Sequence, residues 1–408
     1  MTIITEKLVF GGKSLTKIEG KTVFIPYAIP GEKLDINITE SKRDYDEGEI
    51  VNIVEASSHR VQPACPYYKK CGGCNMMHIE PAFQRELRKE ILKDIFMQNG
   101  IDISDKLKVL YDRDFNYRAR FQLNDGGLSE RKSNVIIPVK ECLCAEKSIN
   151  EWLKNTDASL RPKGRIHLFG SEYVLKNGQN DTKVCLAKEE ARSPVKGIVT
   201  KGGAKGKKPK FKENRYFSGT TLSPENKVTV KIGEKELSFD VRGFFQSNLF
   251  VFEKVVKLIC DSLAPGERVL DMYAGCGSIS AFLADKFNHV TLVEHNRDAL
   301  VFAEENMAGK NHTSFGFSGA NWVKNCSQTA SSFDACVVDP PRSGMEKEVS
   351  DYLCRSGIPQ IRSLSCDPAT HARDCAKLIK AGYSLEAVYL LDFYPNTSHI
   401  ESLAVFVK

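Results

Sequence analysis

From about residue 236 to the C-terminus, helical and strand patterns alternate without interruption, and no other feature narrows the possible folds so far. The helical stretch "FFQSNLFVFEKVVKLICDSL" leads into strand "RVLDMY", a glycine turn and helix "SISAFLADKF". Strand "HVTLVEHN", helix "RDALVFAEENMAGK", strand "DACVVDPPRSG", helix "EVSDYLCRSG", strand "IRSLSC" and helix "ATHARDCAKLIKAG" follow. Short apolar runs separated by helices belong to a parallel sheet buried on both faces. The rhythm predicts an α/β fold with a Rossmann-like, doubly wound sheet over 236–408, holding ligands at its C-terminal strand ends. The stretches "SLEAVYLLDFYP" and "SHIESLAVFVK" are expected to close the sheet antiparallel.

The upstream half follows different patterns. Residues 1–58 alternate apolar and polar positions between turn signals, as expected of a small OB-like β-barrel. Residues 59–235 form a mixed central region. It opens on a cysteine cluster and a helix near 82–99 whose apolar stripe is Phe83, Leu87, Ile91, Ile95 and Phe96. That stripe fits packing on the C-terminal domain. Between Lys196 and Arg215 a Lys-rich stretch carries a single acid, Glu213. Such a stretch is expected to be a solvated loop, a contact for a polyanion such as RNA, or both together. No apolar run approaches the ~20 residues of a membrane span, and no signal peptide is evident, so a cytoplasmic, monomeric protein is expected. In a reducing compartment the 13 cysteines would be thiols, ligands or nucleophiles rather than disulfides.

Three segments of the C-terminal half suggest a nucleotide-like ligand. In "VLDMYAGCGSIS", Gly275 and Gly277 follow a strand and open a helix, but Ser280 stands where a dinucleotide fingerprint has its third glycine. A tight strand–helix turn would use the same glycines. Asp271 ends the strand, Glu294 ends the next one 23 positions later, and "VVDPPRSG" presents Asp339. These acids suit cationic S-adenosylmethionine better than a pyrophosphate cofactor. In "SLSCDPATHARD", Cys366 ends a strand, Asp367 is a good N-cap and Pro368 suits the first helical position. A helix N-terminus favours thiolate. Cys260, Cys336 and Cys354 lie within apolar patterns and are expected to be packing residues. Thr397, His399 and Glu401 of "NTSHIE" would share a strand face, which could equally be a solvated edge.

The blocks "FFQSN", "LDMYAGCGS", "VVDPPRSG", "SCDPATHARD" and "DFYPNTSHIE" stand in the order found in RNA uridine-5-methyltransferases, which the chain resembles. These are class I S-adenosylmethionine-dependent enzymes that make 5-methyluridine in tRNA or ribosomal RNA. "FIPYAIPGE" looks like their TRAM domain and "CPYYKKCGGC" like the iron–sulfur motif of the ribosomal RNA branch. The resemblance spans most of the chain and is thinnest over about 150–235. It implies that Cys366 attacks C6 of uracil, that the C5 carbon takes the methyl group, and that Glu401 removes the C5 proton. It also implies cofactor contacts at Gln246, Tyr273, Ser278, Glu294, Asn321 and Asp339. Ser278 and Asp367 stand where Asn is commoner, and Arg342 is a candidate to orient the base or Asp339. The target base would have to be flipped out to reach the thiol. The 23S ribosomal RNA is the favoured substrate and tRNA the other.

Cys65-x5-Cys71-x2-Cys74 supplies three clustered thiols, a spacing that points to metal. Four-thiolate zinc and iron–sulfur both suit it; the resemblance implies a 4Fe-4S cluster, with Cys142 as fourth ligand in preference to Cys144. A non-catalytic RNA-binding protein is the competing reading, and it predicts loss of Cys366, Glu401 or Asp339, all of which are present. The absent third glycine disfavours an NAD enzyme, and the five-and-two cysteine spacing disfavours a radical one.

Overall fold

Alternate residues of the strand Gly266–Met272 serve two cores: Val269 enters one, Leu270 and Met272 the other. A strand apolar on both faces requires cover on both. Helix Leu249–Ser262 covers one face, while helices Pro81–Gln98, Lys347–Ser356 and Pro368–Lys380 cover the opposite one. The computed structural model describes residues 1–176, 178–180, 184–188, 226–327 and 332–408, and the Lys-rich stretch Lys196–Arg215 lies outside them. Among the described residues no helix is long and apolar enough to cross a membrane.

The central sheet has eight strands in the order His312–Phe315, Phe287–Val293, Gly266–Met272, Ala335–Val338, Gln360–Ser365, Glu401–Val407, Ser384–Leu391 and Leu107–Leu110. All run parallel except Glu401–Val407, which is antiparallel to both neighbours. The sheet is wider than its sequence pattern indicates. His312–Phe315 is a short, polar edge strand, and Leu107–Leu110 arrives from the central region to pair with Ser384–Leu391. A second difference is the start of the first C-terminal helix, which begins at Leu249 rather than Phe244. Asn248 caps it by accepting from the Val251 N–H at 3.2 Å, which leaves Gln246 in the preceding loop.

Strands Thr2–Ile4, Lys7–Val9, Lys13–Ile18, Lys21–Pro26, Lys33–Ser41 and Tyr45–Glu55 form the N-terminal β-barrel. Its core is Val23, Ile25, Ala28, Leu34 and Ile36. Among the described residues the middle of the chain holds a two-stranded ribbon of Leu128–Ser129 and Ile136–Ile137 and two larger antiparallel sheets, one of Arg120–Asn124, Arg165–Phe169 and Cys185–Lys188. The other joins Gln179–Asn180, Val174–Lys176, Lys227–Ile232 and Lys235–Asp240.

Helix Pro81–Gln98 lies against helix Pro368–Lys380, with Phe96 edge-on to His371 at 5.8 Å between ring centres. It also buries polar residues. Arg88 Nη1 lies 2.7 Å from Asp392 Oδ1, with the two side chains 1% and 0% exposed. Removing one partner from such a pair strands a charge at low dielectric. Arg88→Met is therefore expected to lower unfolding stability by about 3–5 kcal/mol in urea titration. Arg88→Met combined with Asp392→Leu should recover much of that loss.

Candidate active site

The candidate nucleophile stands where a strand becomes a helix. Asp367 Oδ1 accepts from the N–H groups of Ala369 (3.1 Å) and Thr370 (2.9 Å), and Pro368 begins the helix, as the Asp-Pro pair predicts. Cys366 is half-buried between the strand end and this cap. Its thiol is nonetheless pushed up, not down: burial raises it most, and the nearby charges of Glu401 and Asp339 add to that. Arg342 opposes them with its charge and a hydrogen bond to the thiol. Desolvation and two acids thus set the direction, opposite to the thiolate expected from sequence.

The antiparallel pairing brings the carboxylate to the thiol. The ladder between Gln360–Ser365 and Glu401–Val407 ends with Ser365 opposite Ser402, so Cys366 and Glu401 are the next residues outward. Burial pushes Glu401 up to about 8, assisted by Asp339 and opposed by Arg342. Asp339, just past strand Ala335–Val338, is itself raised by burial to about 6. Thr397 and His399 do not share a strand face with Glu401, contrary to the sequence expectation, because the strand begins only at Glu401. They lie in a turn in which Asn396 adopts φ 66° and Thr397 Oγ1 donates to the Tyr394 carbonyl at 2.7 Å. Pro395 offers no N–H to a ladder, and Asn tolerates the left-handed region.

The glycine loop forms a cradle beside this edge. Gly277 has φ 72°, and a Cβ there would lie 3.2 Å from Ala303 Cα, so glycine permits a close helix–strand approach. Glu294 accepts from the N–H groups of Gly275 (2.9 Å) and Asn296 (2.6 Å). Asp271 is buried, accepts from Ser280 Oγ at 2.5 Å, and is raised by burial to about 7. Asp271 Oδ1 and Gln246 Oε1 are buried without hydrogen-bond partners among the described residues. Orphaned acceptors in a cradle suit a ligand that brings donors and positive charge. Ser278 is half-buried and hydrogen-bonds to the Cys276 thiol. Tyr273 takes φ 67°, and its hydroxyl donates to Glu346 Oε2 at 3.3 Å. The same oxygen accepts from the Ala320 N–H at 2.9 Å, so Glu346 fastens the start of helix Gly319–Cys326 to Tyr273. Asn321, in the first turn of that helix, is exposed.

Cys65, Cys71, Cys74, Cys142 and Cys144 all line one cavity of about 490 Å³, although Cys142 is some 70 residues from the first three. Burial raises the Cys65 and Cys71 thiols, and a thiol–thiol hydrogen bond with Cys144 followed by burial raises Cys142. Cys74 Sγ lies 3.7 Å from Cys144 Sγ. Among the described residues no three Cys, His, Asp or Glu side chains are grouped so as to hold a metal ion. The donor set still suits a thiolate-bound group, because five thiols from two chain segments face one space.

Sequence reasoning overlooked the residues behind the site: Gln84, Arg88, Asn75, Tyr117, Glu346 and Asn396. Only Asn396 carried a signal, as an Asn following Pro, a pair suited to a turn.

Comparison with known proteins covers each part of the chain. A family described as tRNA (Uracil-5-)-methyltransferase matches residues 320–408, a methyltransferase small domain matches 252–355, and a TRAM domain matches 1–51. An RNA methyltransferase of Treponema denticola is 34% identical over 441 residues, covering 99% of this chain and 98% of that protein. The 23S rRNA (uracil(1939)-C(5))-methyltransferase RlmD of Acinetobacter baumannii is 30% identical over 417 residues, covering 95% of this chain and 89% of that one. In fold, the chain is similar to the Pyrococcus abyssi tRNA (uracil-54, C5)-methyltransferase solved with S-adenosyl-L-homocysteine, with TM-score 0.72, 21% identity and full coverage of both. Cys366, Asp339 and Glu401 all fall inside the C-terminal match, and the barrel inside the N-terminal one except for the end of its last strand, Tyr45–Glu55; the chain belongs to the S-adenosylmethionine-dependent RNA uracil-C5 methyltransferases that carry a TRAM domain.

Proposed function

We propose that this enzyme methylates a uridine of 23S ribosomal RNA through a covalent adduct between Cys366 and C6 of the base. The observation that carries the mechanism is the pairing of Cys366 with Glu401 at the sheet edge, with Asp339 and Arg342 acting on both. Pyrimidine C5 is a poor nucleophile until a thiolate adds at C6. Bound S-adenosylmethionine supplies an electrophilic methyl group on a sulfonium. Gln246, Tyr273, Ser278, Glu294, Asn321 and Asp339 are the residues assigned to hold it. Once C5 is methylated, Glu401 takes the C5 proton, the C5–C6 double bond re-forms and the thiolate leaves. Arg342 favours the ionised form of both groups. Ribosomal RNA is preferred because several relatives aligned along nearly the whole chain carry that activity in their names. A tRNA substrate is the alternative.

Cys65, Cys71, Cys74 and Cys142 would hold a 4Fe-4S cluster that cross-links the two cysteine loops; methyl transfer itself moves no electrons. The free cysteines throughout the chain suit the reducing cytoplasm.

Mapping 5-methyluridine in total RNA with and without the gene identifies the target; a change confined to tRNA would overturn the ribosomal assignment. Cys366→Ala is expected to abolish methylation while S-adenosylmethionine binding persists, and full activity would rule out the adduct. Glu401→Gln is expected to trap protein–RNA adduct, seen as a band shift in a denaturing gel. The pH dependence follows from the site. Glu401 must lose its proton to act, and its pKa is raised to about 8, so adduct release should accelerate as pH rises through that value. A release rate that is flat from about pH 6 to about pH 9 would contradict Glu401 as the base. Anaerobically purified protein should contain iron, lost in Cys142→Ser and retained in Cys144→Ser; a zinc-loaded, colourless protein would exclude the cluster.

A further inference from the structure

The turn that launches Glu401 is tied to both cysteine loops. On one side, the residue after Cys74 does the tying. Asn75 Oδ1 accepts from the Ser398 N–H at 2.9 Å, and Asn75 Nδ2 donates to Ser398 Oγ at 2.8 Å and to the Gly11 carbonyl at 3.2 Å. The backbone N–H groups of Asn75 and Met76 both donate to the Asn396 carbonyl, at 3.2 and 3.0 Å. On the other side stands Tyr117, which is fully buried. Its N–H donates to the Cys144 carbonyl at 3.0 Å, and its hydroxyl donates to the Pro395 carbonyl at 2.9 Å. The turn is also gripped from a third direction, because Gln84 exchanges hydrogen bonds with the Asn396 backbone N–H and side chain. Asn396 at φ 66° lets the chain turn here, and these hydrogen bonds fix where the turn lies.

We propose that Asn75, seconded by Tyr117, is a positioning residue for Glu401, so that the setting of the cysteine loops governs adduct release rather than thiol addition or binding. The proposal rests on the assignment of Glu401 as the base. The asymmetry follows from connectivity. Residues 395–398 lead directly into the Glu401 strand, whereas Cys366 closes a different strand whose helix cap is built from its own neighbours. A displaced turn therefore moves the carboxylate and leaves the thiol in place. Proton transfer is steeply sensitive to such displacement, since a misplacement of ~1 Å can cost about 10²-fold in rate.

The test uses the full chain and the unmethylated transcript that the wild-type enzyme methylates. Asn75→Ala should slow adduct release by about 10²-fold, with adduct accumulating in denaturing gels. Adduct formation and the KM values for RNA and S-adenosylmethionine should stay within about two-fold of wild type. Asn75→Asp, which keeps an acceptor for the Ser398 N–H, should restore part of the release rate. Hydrogen exchange at the Ser398 amide should quicken in Asn75→Ala and also in Cys74→Ser. Should Asn75→Ala fail to fold, Ser398→Ala removes only the hydroxyl partner and should act in the same direction. Wild-type release in these variants, or formation and release slowed alike, would overturn the proposal. Absence of adduct in both wild type and Glu401→Gln would instead overturn the assignment of the base.

Discussion

The single antiparallel strand of the central sheet decides where chemistry can occur. Parallel strands all end at one edge, so their loops can gather there but their strand bodies cannot. Because Glu401–Val407 runs the other way, its first residue arrives at the edge where Gln360–Ser365 finishes. A carboxylate at the start of one strand and a thiol at the end of its neighbour then become partners by register alone. A slip of one residue in Glu401–Val407 would send Glu401 to the opposite face from the thiol. The cores on the two faces hold the register, since Leu364 and Leu403 enter one and Ile361, Ala404 and Phe406 the other.

The second organising fact is electrostatic. Burial raises Asp271, Asp339 and Glu401 toward or past neutrality, and Glu401 and Asp339 in turn raise the Cys366 thiol. Each group is held back from ionising by low dielectric, and Asp339 further opposes ionisation of Asp271, Glu401 and Cys366. A cation among them favours the ionised form of every one, which is the electrostatic sense of matching a sulfonium cofactor with a thiolate mechanism. Arg342 is the cation the chain itself brings to the thiol and the carboxylate.

Much of this could be read from sequence where one short segment carries the whole signal. The Asp367-Pro368 cap, the glycine turn and the buried strands are local, and the structure reproduces them. Thr397 and His399 misled because period-two spacing describes a turn as readily as a strand when Pro395 interrupts it. The edge strands His312–Phe315 and Leu107–Leu110 escaped notice because they are short and half-exposed, so alternation has little apolar contrast to display. The buried Arg88–Asp392 pair was invisible for another reason: charged residues on a helix normally face water, and only the partner 304 positions away makes burial tolerable.

That long reach has a consequence for how the chain assembles. Among the described residues strand Leu107–Leu110 pairs only with Ser384–Leu391, and Lys106 donates to the Leu385 carbonyl 279 residues further on. Contacts so distant in sequence form late, because the entropy of closing the loop precedes any reward. During synthesis the face of helix Pro81–Gln98 that meets Pro368–Lys380, and with it Arg88, must therefore wait until residues 368–407 have been made. The hairpin of Ser384–Leu391 and Glu401–Val407 is a keystone: it completes a sheet begun near residue 107 and, in the same event, sets the carboxylate beside the thiol.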